Sequence, residues 1–206
     1  MARPKREPGV PDARQRLADA FWDMLSEMPF SEMTVLGISA RAQVNHNSFY
    51  YHFRNIEDMA QTLFRENMLP EMPRLMLPFL LEGSGRLPEL SLREREVLEA
   101  HFMRARLFAQ SGSPFLTGIL EDSIRDLWLQ TYGLEESDLD RTQADQLVFV
   151  FGGLVALIAE MGDDVSSDRM AAFVQSPAGR GVVSTLLAIA GSAREDNQMK
   201  APGPSI

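Results

Sequence analysis

Apolar residues recur at helical spacing along almost the whole chain, and no stretch alternates apolar and polar residues as a half-buried strand would. Leu17, Phe21, Met24, Leu25 and Met28 share one face of a first helix. It is expected to start at Asp12, with Gln15 three residues on completing a capping box, and to end at Pro29. Thr34 caps a short second helix to about Ala42, with Ile38 and Ala42 turned inward. Asn45 caps a third to about Phe53, in which Phe49 and Phe53 lie on one face at i, i+4. Asn55 followed by Asp58 opens a fourth, ending near Leu69. Pro70, Pro73 and Pro78 then break the pattern, so a short or kinked helix is expected over about 72–81. Gly83, Ser84, Gly85 and Pro88 mark a loop over 82–92. Long helical patterns follow at about 92–110, 114–132 and 139–161, then shorter ones at 167–175 and 177–193. The last has Ser176 as cap and Pro177 at its first position. The expected fold class is all-α.

Two short helices in tandem, 34–42 and 46–53, joined by a tight turn, match a helix-turn-helix. The expected organisation is therefore a flexible basic arm at 1–11, a three-helix head at 12–54, a larger helical bundle at 55–194 and a disordered tail at 195–206.

Composition narrows the function classes. The 206 residues, 45% hydrophobic and 24% charged, suffice for a sizeable core without cross-links. Cysteine is absent, which excludes disulfides and thiolate chemistry. The uncharged apolar run 147–159 is shorter than the ~20 residues of a membrane span, and no leader-like pattern is read at the N-terminus, so a soluble, cytoplasmic protein is expected. A net charge of −9 argues against a nucleic-acid partner until it is divided. Residues 1–56 hold seven basic and six acidic residues, a balance of +1, and the remainder carries −10. Such asymmetry suggests two jobs in one chain.

In a helix-turn-helix the second helix enters the DNA major groove with its N-terminal residues at the base edges. His46, Asn47 and Ser48 are short polar groups at that position, beside the cap Asn45. Tyr50, Tyr51, His52 and Arg54 offer donors to phosphates, and Arg41 adds a second cation. Thr34 sits at a helix N-terminus, where free N–H groups favour a phosphate oxygen. No Lys or Arg occupies the first three positions of the second helix, so phosphate affinity must lean on Arg54, Arg41 and the arm, and salt-sensitive binding is expected. No phosphate loop, nucleophile elbow or paired catalytic carboxylates are found, so the chain is not read as an enzyme, and no cofactor is called for. His46 and His52, six apart, face different sides of the helix, which leaves no metal site, and His101 is read as a core histidine.

The stretch from Thr34 to Met59 resembles the DNA-binding signature of TetR-type (TetR/AcrR family) bacterial transcriptional regulators. The resemblance is carried by the Thr-capped helix, the Ala42-Gln43-Val44-Asn45 turn, Phe49-Tyr50-Tyr51-His52-Phe53, the basic Arg54 and the acidic start of the next helix. It covers about residues 12–66 well; beyond them only helix number, length and order are similar. One departure is Gln43, where the family usually has glycine in a left-handed turn, a substitution that costs on the order of 1 kcal/mol. Another oddity is Gly37 inside a helix.

The resemblance implies three further features. One is an apolar ligand cavity in the body, for which Met72, Met76, Phe102, Met103, Arg106 and Trp128 are the candidate lining residues. The second is a homodimer through the last two long helices, whose small residues Gly152, Ala156, Ala159, Gly181, Thr185 and Ala188 would allow close approach. The third is a near-palindromic double-stranded DNA operator, released by an unknown small-molecule effector, with no membrane partner. The alternative reading is an all-helical ligand-binding or protein-interaction module that has lost specific DNA reading.

Overall fold

The computed structural model describes residues 12–68 and 91–200, and every regular element among them is helical. Nine α-helices run in chain order over these residues. They are α1 (Ala13–Glu27), α2 (Val35–Arg41), α3 (His46–His52), α4 (Ile56–Met68) and α5 (Leu92–Gln110), then α6 (Pro114–Tyr132), α7 (Arg141–Glu160), α8 (Ser167–Gln175) and α9 (Pro177–Lys200). Short 3₁₀ turns at Phe30–Glu32, Glu136–Asp138 and Gly162–Asp164 join some of them. The expected helix over 72–81 and the loop over 82–92 lie outside the described residues up to residue 90.

Local chemistry sets the boundaries. The Gln15 N–H donates to Asp12 Oδ1 at 2.8 Å. The Gln15 side-chain amide donates to Asp19 at 2.8 Å. Full capping boxes do start α5, at Ser91 and Glu94, and α7, at Asp140 and Gln143. Pro114 and Pro177 stand at first helical positions, where a missing N–H costs nothing. The last helix runs to Lys200, beyond the end expected near 193 and into the stretch expected to be a tail.

Buried side chains form two clusters. The larger joins the head to the body: Leu17, Phe21, Ile38, Phe49 and Phe53 share it with Phe64, Leu98, Phe108, Leu116, Val155 and Met170. Phe108 of α5 is its junction, with its ring 5.5 Å from Trp22 of α1 and 4.8 Å from Phe64 of α4. The smaller cluster gathers Trp128, Leu129, Leu147, Val150, Phe151, Leu186, Ile189 and Ala193 from α6, α7 and α9. Ile124 touches both clusters. His101 is buried with Nδ1 2.6 Å from the Val97 carbonyl, as a core histidine would be.

Candidate nucleic-acid interface

The helix-turn-helix is built from a buried side inward and an exposed side outward. Thr34 Oγ1 accepts the Gly37 N–H at 3.0 Å and starts α2. Gly37 is where it is for a steric reason: a Cβ there would stand 3.1 Å from Thr34 Oγ1 and 3.3 Å from Met24 Cε. Helix α2 ends in a Schellman turn. The Gln43 N–H donates to the Ala40 carbonyl at 3.1 Å and the Val44 N–H to the Ser39 carbonyl at 3.0 Å. Gln43 takes φ of +53°, so the left-handed turn of the motif is kept without glycine. Its carbonyl accepts from Arg16 at 3.4 Å, tying the turn to the first helix.

Asn45 then caps α3 through the Asn47 N–H at 2.9 Å. Phe49 and Phe53 are buried, their rings 5.7 Å apart, and fix α3 to the core. Burial of one such ring stabilises by about 1.5–3 kcal/mol. The opposite side is open. Tyr51 is 85% exposed and Tyr50 57%, and His46 and Asn47 are exposed beside them. His46 and Tyr50 meet edge to face at 6.5 Å, while Tyr51 and His52 do so at 5.1 Å. Asn47 and Tyr51, at i, i+4, stand one turn apart beside the first pair. Ser48 and His52 are half-buried. Of the expected base-reading and phosphate residues, the structure thus brings His46, Asn47, Tyr50 and Tyr51 to one open face.

The cations are placed differently from the polar groups. Arg54 Nε and NH2 both donate to Asp58 Oδ1, at 3.0 and 2.7 Å, and its backbone N–H reaches Oδ2 at 2.9 Å. That contact raises the Arg54 pKa above its ordinary value and lowers that of Asp58. Arg41 donates two N–H groups to Glu27, with the same effect on both partners. Leu36, 71% exposed on α2, is an apolar residue of this region that sequence reasoning did not single out.

The other expected sites are only partly assembled. Met72 and Met76 lie outside the described residues. Phe102 belongs to the larger cluster and Trp128 to the smaller. Met103 points outward, and Arg106 is half-buried. On the proposed dimer face, Ala156, Gly181 and Ala188 are exposed. Gly152 is half-buried, a Cβ on it would stand 3.8 Å from Glu121 Oε1 of α6, and the Ala159 carbonyl accepts from Gln110 at 2.6 Å. Missed altogether were Phe149, 83% exposed, Val148 and Leu187. A groove of about 600 Å³ between α7 and α9 is lined by Phe149, Gly181, Val182 and Thr185 among others. Helix α7 has the length and apolar content of a membrane span, yet Leu147, Val150, Phe151, Val155 and Ile158 on it are buried in the protein.

Comparison with known proteins bears on the head. No curated protein matches the chain. Among solved structures, the chain is similar to a TetR-family transcriptional regulator from Streptomyces coelicolor, at 18% identity and a TM-score of 0.46. That match covers 86% of this chain and 98% of the other, and is too loose to carry residue roles across. Residues 17–63, which span α1 to α4, match the family model of bacterial regulatory proteins of the tetR family. The head of this chain is thus similar to that of the tetR-family bacterial regulatory proteins, and the resemblance read from the Thr34–Met59 signature holds.

Proposed function

We propose that the chain is a sequence-specific DNA-binding transcriptional regulator of bacterial cytoplasm, and a repressor released from its operator by a small-molecule effector. The observation that carries the reading is α3 itself. Its apolar side is sealed by Phe49 and Phe53, while His46, Asn47, Tyr50 and Tyr51 stay exposed to solvent. A solvated helix face with two neighbouring exposed tyrosines is better matched to base edges and phosphates than to water.

The outward face of α7 and α9 supports a homodimer. Phe149, Val148 and Leu187 are large apolar residues left exposed, next to Gly181 and Ala188, where a second copy would approach closely. A two-fold dimer presents two recognition helices to major grooves ~34–36 Å apart, which calls for a near-palindromic operator. The effector must bind the DNA-incompetent arrangement more tightly than the competent one, since equal affinity would shift nothing.

A gel shift with genomic fragments at two salt concentrations tests this. A discrete band that weakens with salt is expected, and Asn47→Ala with Tyr51→Ala should abolish it while helicity and melting stay unchanged. Absence of any specific band from the folded wild type would favour the other reading, a helical module that no longer reads DNA.

A further inference from the structure

We propose that Leu36 is a specificity-determining residue of the DNA interface and reads the C5-methyl group of a thymine at the edge of the major groove. This inference rests on the DNA-binding reading above and adds an apolar contact from α2 to the polar face of α3. Leu36 adds little to the packing of the head. It is 71% exposed, whereas its neighbour Val35 packs against the larger cluster and Ile38, two residues on, is fully buried. A lone exposed leucine is ordinary on a protein surface. The setting of this one is not. Among residues 12–68, the large apolar side chains left exposed are Leu36, Tyr50 and Tyr51, all three in the helix-turn-helix.

The other residues of α2 fix its direction. Gly37 and Arg41, four apart, mark the side that faces α1: a Cβ on Gly37 would stand 3.3 Å from Met24 Cε, and Arg41 closes on Glu27. Ile38 and Ala42, also four apart, mark the side that faces the core. At ~100° per residue, Leu36 points ~120° away from the first side and ~140° away from the second. It therefore occupies a third flank, which it shares with the exposed Ala40 at i+4. That flank runs down to the turn at Gln43, from which Asn45 starts α3.

From Leu36 to Ala42 the helix rises about 9 Å, less than the ~12 Å width of a major groove. With the N-terminus of α3 at the base edges, α2 crosses the backbone that walls the groove, and Leu36 comes within reach of the outermost bases. Chemistry then selects the target. A leucine has no donor for a phosphate and gains nothing beside one. The C5-methyl of thymine is the apolar group that base pairs display in the major groove. It projects on the side nearest its own backbone, the side from which α2 approaches.

The test uses a duplex that the wild type selects from genomic fragments, resynthesised with uracil in place of one thymine at a time. Uracil keeps O4 and the pairing and lacks only the methyl group. Wild type should lose about three- to tenfold affinity at one thymine or its symmetry mate, the size expected for one buried methyl contact. Leu36→Ala should lose about as much on the unmodified duplex and show no further loss with uracil at that position. The uracil ratio is taken within one protein, so any change in the fraction folded cancels. Three results overturn this inference and leave the regulator reading standing: a wild type indifferent to every uracil, a Leu36→Ala variant with wild-type affinity, or a variant that keeps the full wild-type loss at every uracil. A folded wild type that selects no duplex overturns both.

Discussion

Arg41, the last residue of α2, closes two guanidinium N–H groups on the carboxylate of Glu27, the last residue of α1, at 2.7 and 2.5 Å. The pair ties together the C-terminal ends of two helices that pack within the head. It also places a cation where the α2 dipole favours one. Arg41→Ala and Glu27→Gln are expected to lower the melting midpoint by similar, small and salt-sensitive amounts, because both partners are exposed. Scanning calorimetry at two salt concentrations measures this. A large loss of DNA affinity confined to Arg41→Ala would instead give that charge to phosphate.

The two carboxylate pairs also set an acid limit. Contact with arginine holds Glu27 and Asp58 below their ordinary values. A depressed folded pKa contributes stability above the ordinary carboxylate range, near 4, and loses it as pH falls through the lowered value. Stability should therefore be flat with respect to these pairs from pH 7 to 5 and fall below about 4. Urea denaturation from pH 6 to 3 reads this out, with a shallower acid-side fall in Glu27→Gln, Asp58→Asn.

The turns after α2 and α6 make the same pair of hydrogen bonds, one around Gln43 and one around Gly133, at φ of +53° and +63°. Only the second has the residue that reaches this conformation freely. Gln43→Gly should stabilise the protein by about 1 kcal/mol, and Gln43→Val, with a branched Cβ, should destabilise it by more than that. Urea midpoints of the two variants would contradict this if they shifted in the same direction.

Gly179 is a tighter constraint. A Cβ there would stand 2.1 Å from the Phe173 carbonyl oxygen and 2.5 Å from the Val174 Cα, both backbone atoms. The α8–α9 junction would have to open, so Gly179→Ala should cost about 2–3 kcal/mol despite its better helix propensity. Gly118 of α6, where an added Cβ meets nothing within 4 Å, is the control: Gly118→Ala should leave stability equal or higher.

Phe149 offers the sharpest separation of folding from assembly. At 83% exposure it contributes little to the fold of one subunit, so Phe149→Glu should leave the melting of the monomer unit nearly unchanged. A homodimer built on α7 and α9 should dissociate in sedimentation velocity at micromolar concentration. If wild type is itself a monomer there, the dimer is wrong.

Much of the architecture is legible in the sequence because caps and proline positions are local signals. Thr34, Asn45, Ser113, Asp140 and Pro177 each begin a helix within a residue or two of the expected place. The recognition helix is legible for the same reason, with polar residues at its start and Phe49 and Phe53 four apart. What escapes is long-range. Spacing does not reveal that Arg41 meets Glu27, fourteen positions away. On α7, the run Leu147-Val148-Phe149-Val150-Phe151 is apolar on every side, so spacing does not say that 148 and 149 point outward. The end of α9 escapes because Arg194 to Lys200 has no apolar period, although a helix runs through it.

The seam between the two apolar clusters does not fall at the end of the helix-turn-helix. It falls inside the body, at Ile124 of α6, while Phe108 binds Trp22 and Phe64 into the larger cluster. Amide exchange should accordingly protect α1 to α5 together with the Leu116 end of α6 and the Val155 end of α7, and let the ends of α6, α7 and α9 that carry Trp128, Leu147 and Ile189 open separately. A fragment cut after Arg54 would strip Trp22 of its Phe108 partner and leave the underside of the reading head wet. The part that touches DNA is thus an inseparable end of a longer lever, and any strain imposed on α5 is delivered to it without a joint in between.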